Sequence, residues 1–198
     1  MKLSLLNALT ILVGTLALYD MSKAATSAST GTPTVAPNRT VPKVEPPRTT
    51  LEFPANPTPQ DFFRARLFEE PLVPVGEPSR AENTALATAL LRYSKRGGPD
   101  DFSGLTSFLQ EHPRSPWCAS LLTSLGLEYY NTAHYSLALD AWSRAWPLAK
   151  DASEPKGKAI ADRAVGELAY MYGRLGRMTE LEALLRSVAK AWPSPMRI

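Results

Sequence analysis

The stretch LLTSLGLEYYNTAHYSLALDAWSRAW, Leu121–Trp146, places a glycine inside an apolar run and then sets aromatics and alanines at measured distances from it. Outward from Gly126 the apolar or small residues are Leu122, Leu125, Tyr129, Tyr135, Ala138, Trp142 and Ala145. These offsets mark one face on each of two helices joined by the short turn NTAH. Small residues let two helices approach closely and large ones fill the space between, so the spacing is a packing code and not a set of reactive groups. No stretch alternates with period two, so an all-α fold of antiparallel hairpins joined by short loops is expected.

The helix boundaries follow from local signals. Ser79-Arg80-Ala81-Glu82 has the form of a capping box and predicts a helix from about Arg80 to Lys95, ended by Gly97-Gly98. Asp100 is expected to cap the next helix, whose Phe102, Leu105, Phe108 and Leu109 share a face. Ser115 and Pro116 make a suitable cap and first residue for the one after it. Further helices are expected at Tyr135 to Ala149, Pro155 to Arg174 and Met178 to Ala191. Upstream, a helix beginning at Thr58-Pro59 and running to Pro71 carries Phe62, Phe63, Leu67 and Phe68, too apolar for solution and suited to docking on the domain that follows.

The first 24 residues have the layout of a signal peptide: Lys2, an apolar stretch from Leu5 to Tyr19, then small residues. Cleavage fits after Ala24 or after Ala28. The alternative is an uncleaved anchor, although the apolar run is shorter than the roughly 20 residues of a spanning helix. A lipoprotein signal is excluded, because no cysteine follows the run. Residues 25–58 are rich in Thr, Ser and Pro with almost no large apolar side chains, and so read as a disordered, Pro-stiffened linker. The remaining divisions are a docking helix and connector at 59–78, the helical domain at 79–192 and a tail at 193–198. Export to the periplasm, the cell envelope or the exterior is therefore expected, with membrane contact only through the amino-terminal segment.

Around Gly126 the pattern resembles the tetratricopeptide repeat, which places large, large, small, aromatic on its first helix and aromatic, small, aromatic, small on its second. Val165, Leu168, Ala169, Tyr172, Gly176, Met178 and Leu185 follow the same offsets 43 residues later, with Leu181 where a small residue belongs. The resemblance covers roughly Arg80 to Ala191 and implies a short solenoid of stacked hairpins. It also implies a protein or peptide partner along the concave face, which in this chain corresponds to Thr123, Leu127, Tyr130, Asn131, Arg163, Tyr170 and Arg174. The joint HPRSPW is similar to those of exported bacterial repeat proteins. The signal, linker and degenerate repeats together resemble the amino-terminal region of large bacterial surface proteins, which implies a passive presenting module as an alternative role.

Other function classes find less support. The net charge of +3 is spread along the chain, so no nucleic-acid partner is expected. Cys118 is the only cysteine, which rules out an internal disulfide, and it reads as a small buried hydrophobe. His112 and His134 stand apart from any spaced ligand set, so neither a metal nor another cofactor is expected. Cys118, His134 and Asp140 are the one trio that an enzyme would offer, and repeat geometry would keep them apart. The last helix carries an apolar stripe of Leu181, Leu184, Leu185 and Val188, which either packs inward or supports self-association.

Overall fold

Ser79 begins the main body of the fold. Its side chain accepts from the Glu82 amide at 3.2 Å while Glu82 accepts from the Ser79 amide at 2.8 Å, and these two bonds start the helix Arg80–Ser94. The backbone and side-chain bonds from Ser79 hold the Glu82 carboxyl below its usual range. The computed structural model describes residues 50–192, and within them every regular element is a helix. They are α1 (Pro59–Ala65), α2 (Arg80–Ser94), α3 (Ser103–Glu111), α4 (Cys118–Asn131), α5 (Tyr135–Ala149), α6 (Pro155–Arg174) and α7 (Met178–Ala191). The expected signal peptide, most of the linker and the tail lie outside the described residues.

Three boundaries differ from the sequence reading. The first helix ends at Ala65 rather than at Pro71, because Arg66 takes a left-handed conformation at φ 48° and turns the chain. The cap of α3 is supplied by Asp101 and not by Asp100: the Asp101 carboxylate accepts from the Ser103 amide at 3.0 Å and the Ser103 hydroxyl at 2.6 Å. Pro116 and Trp117 form a turn, so α4 starts at Cys118, with the Cys118 amide bonded to the Ser115 carbonyl at 3.0 Å.

Packed structure also begins before residue 59. Phe53 lies 5.0 Å from Phe62, Pro57 is buried, and the Pro57 carbonyl accepts from the Asn83 side chain at 3.1 Å. Phe62 and Phe68 are buried with Leu86, Leu90, Phe108 and Trp117 in a first core between α1, the connector, α2, α3 and α4. Leu127, Trp142, Trp146, Ile160, Leu168 and Leu184 form a second core between α4, α5, α6 and α7. Helix α6 packs on both α4 and α5, and α7 packs on α6.

Gly126 explains how closely α4 and α5 approach. A Cβ added there would lie 2.2 Å from Nε1 of Trp142, whose indole is fully buried and donates to the Thr123 carbonyl at 3.2 Å. Ala138 and Ala145, on the same face of α5, are also fully buried. Tyr135 departs from the expected packing role and is 49% exposed at the first turn of α5.

The turns after α4 and α6 are built alike. The His134 amide donates to the Tyr129 carbonyl at 2.7 Å and the Ala133 amide to the Tyr130 carbonyl at 3.0 Å. After α6, Arg177 bonds back to Tyr172 at 2.9 Å and Gly176 to Gly173 at 3.2 Å in the same pattern. Gly176 sits at φ 67°, and Ala133 is held at φ 64° in the corresponding place. An alanine in the left-handed region is strained where glycine is not. Ala133→Gly is therefore expected to stabilise the domain by about 1 kcal/mol and to raise Tm by about 3 °C in a thermal melt. A lowered Tm would show that the turn's strain is relieved elsewhere.

Candidate functional site

The seven residues that the repeat pattern assigns to a partner surface do not share one environment. Thr123 is 0% exposed and its hydroxyl donates to the Ala119 carbonyl at 2.9 Å. Leu127 is 6% exposed and belongs to the second core. Both expectations are corrected by burial, since neither position lines an open groove. Arg163 is likewise engaged within the chain. It meets Glu70 at 2.8 Å, Glu69 at 3.0 Å and Glu167 at 2.9 Å, tying the connector after α1 to α6. Burial alone would lower the Arg163 pKa, but the bond to Glu69 and the charges of Glu167, Glu69 and Glu70 outweigh it and raise the value. This arginine is a clasp and has no charge to spare for a partner.

The remaining four residues gather at one end of the domain, where the last turns of α4 and α6 lie. Tyr130 is half-buried, Asn131 is exposed beside it, and Tyr170 is 52% exposed. Nη1 of Arg174 donates to the Tyr170 hydroxyl at 2.9 Å, with the guanidinium carbon 5.5 Å from the ring centroid. Tyr135 joins them, its ring 5.4 Å from that of Tyr130 in an edge-on arrangement. The bond to Tyr170 is the main cause of a raised Arg174 pKa, and Tyr130 and Tyr135 act on the same charge. Leu175 and Met178 extend the exposed apolar surface into the neighbouring turn. Tyr135 was absent from the sequence-derived set, and its only signal was its position directly after the NTAH turn.

Three phenols and a guanidinium at the surface offer large contact area at small conformational cost, with hydrogen-bonding groups at the edge. No thiol, imidazole or carboxylate stands among them. Cys118 is buried, its Sγ donates to the His112 carbonyl at 3.1 Å, and burial pushes its thiol pKa up. His134 is exposed in the α4–α5 turn, with Nδ1 at 3.0 Å from the Thr132 hydroxyl and 3.9 Å from Asp100. Asp140 is engaged with Arg144 at 3.4 Å. Cys118, His134 and Asp140 thus each have different partners. Among the described residues no group of three or more His, Cys, Asp or Glu is placed to hold a metal, and no helix is long and apolar enough to cross a membrane.

No protein-family model matches the chain, and neither the curated proteins nor the solved structures include a significant match.

Proposed function

We propose that this chain is an exported, non-enzymatic helical module of the tetratricopeptide type that binds another protein through the tyrosine-rich end formed by α4, α5 and α6. The observation that carries the reading is the cluster of exposed Tyr135, Tyr170 and Arg174 around half-buried Tyr130. Aromatic and arginine side chains are the usual anchors of protein contacts, and four of them stand together here around one charge. A solenoid arrangement is supported by the contact order, in which α6 packs on both members of the preceding hairpin. It is supported as well by the matched turns at Ala133 and Gly176. Export rests on the signal-like opening of the sequence.

The test uses the chain as bait in envelope extracts, alongside a Tyr170→Ala, Arg174→Ala double variant. Both side chains are exposed, so the fold is expected to survive, as far-UV circular dichroism would check. A captured partner is expected to bind the double variant at least about tenfold more weakly. Equal capture by both forms would remove the tyrosine face from the reading. Leu127→Asp is unsuitable for this purpose, because a charge in the second core would unfold the protein.

A further inference from the structure

A cleft lies at the first turn of α6, whereas the tyrosine face lies at the last turns of that helix. The connector from Val73 to Pro78 forms one wall of this cleft of about 710 Å³, and the α5–α6 loop with the first turn of α6, Asp151–Gly157, forms the other. Pro59, Gln60 and Phe63 of α1 close it at one end. Its size is that of a ligand or peptide site.

Prolines and two internally bonded amides shape the connector wall. Pro59, Pro74, Pro78 and Pro155 have no amide hydrogen and fix their own backbone angles. The Val75 amide is spent on the Pro116 carbonyl at 2.8 Å and the Val73 amide on the Ser120 hydroxyl at 3.1 Å. Gly157 is buried so close to Ala152 that an added Cβ would lie 2.8 Å from the Ala152 methyl. The first turn of α6 still presents amide hydrogens, and the positive end of its dipole faces Glu154 at the N-cap.

Acceptors and negative charge dominate instead. Glu77, Asp151 and Glu154 line the cleft against a single cation, Lys156. Asp151 meets Lys150 at 3.3 Å, whereas Glu77 and Glu154 form no ion pair among the described residues. Nζ of Lys156 sits 4.4 Å above the Phe63 ring, so an ammonium group already occupies the aromatic face of this surface.

From these features we infer that the cleft is a docking site for an extended peptide segment carrying a lysine or arginine side chain. The aliphatic stem of that side chain lies on Val75 and the prolines, and its charge is met by Glu77 and Glu154. A preformed wall lowers the ordering cost of binding, and the excess of carboxylates sets the sign of the ligand.

The probe is a fluorescein-labelled peptide of sequence Gly-Pro-Pro-Arg-Pro-Pro-Gly, titrated into the full chain and followed by anisotropy and by amide chemical shifts. A second peptide replaces the arginine by citrulline, which keeps the shape and removes the charge. Saturable binding of the arginine peptide is expected, weaker by about tenfold or more for the citrulline peptide and in raised salt. Shifts should fall on residues 73–78 and 151–157. Glu77→Gln combined with Glu154→Gln, both exposed, should weaken binding to a similar degree, while Tyr170→Ala leaves it unchanged. Equal binding of the two peptides, no effect of the glutamine variants, or no shifts in these segments at millimolar peptide would each overturn the assignment. Loss of binding in the Tyr170→Ala variant would assign the peptide to the tyrosine face instead.

Discussion

Trp117→Ala is expected to cost about 5 kcal/mol and to leave little folded protein at 37 °C. Trp117 is fully buried where α1, the connector, α2 and α4 meet, and its ring stacks edge-on against Phe62 at 4.8 Å. Emptying a site of that size costs about 3–5 kcal/mol. The indole Nε1 also donates to Oδ1 of Asn83 at 2.9 Å, and Asn83 in turn donates to the Pro57 carbonyl at 3.1 Å. Asn83 is buried within α2, so its carbonyl oxygen has no solvent to turn to once the indole is gone, and an unsatisfied group of that kind costs a further 1–3 kcal/mol, roughly. Total stability of a domain is about 5–15 kcal/mol, so the loss is a large share of it. Trp117→Phe separates the two contributions. It keeps much of the aromatic volume but removes the donor, and a loss of about 2 kcal/mol in a urea titration is expected. A loss below about 0.5 kcal/mol would show that the relay from Trp117 through Asn83 to Pro57 adds nothing to holding the segment before α1.

The parts of the fold that were legible in the sequence are those decided within one or two helical turns. Ser79 and Glu82 cap α2 because the two partners lie three residues apart in the chain. Gly126 and Trp142 could be paired because the repeat spacing brings two adjacent helices together. The misread boundaries were also local, but they turned on backbone angles that the residue types do not dictate. Arg66 has no glycine signal for its left-handed turn, and the choice of Asp101 over its neighbour depends on where Ser103 lies. The candidate site was harder to read, since exposure is set by whichever element comes next. Thr123 and Leu127 look like groove positions on one hairpin, and both are buried in the folded domain. Arg163 looked free because its partners Glu69 and Glu70 stand 94 and 93 residues away. Tyr170 and Arg174 are exposed near the end of α6, and Tyr130 is half-buried near the end of α4.

Gly126→Ala is expected to destabilise the second core by about 2–3 kcal/mol, although alanine is the better helix former. Helix propensity alone would favour the change by about 1 kcal/mol in an exposed helix interior. Opposing it, the new methyl would lie 2.2 Å from Nε1, 2.5 Å from Cδ1 and 2.7 Å from Cε2 of Trp142. These are atoms of a fully buried ring whose nitrogen is bonded to the Thr123 carbonyl, so the ring cannot withdraw without losing that bond and shifting α5. Overpacking of a close-packed core costs about 1–3 kcal/mol, occasionally more, and the broken bond adds to it. The sign therefore decides between propensity and packing. A midpoint raised in denaturant would mean that α4 and α5 can separate at little cost. Combining Gly126→Ala with Trp142→Leu gives the second half of the test. Trp142→Leu alone leaves a cavity, and the added methyl partly refills it, so the two losses should be less than additive by about 1 kcal/mol or more. Strict additivity would show that the two side chains do not meet, and with that the packing code around Gly126 would lose its physical basis.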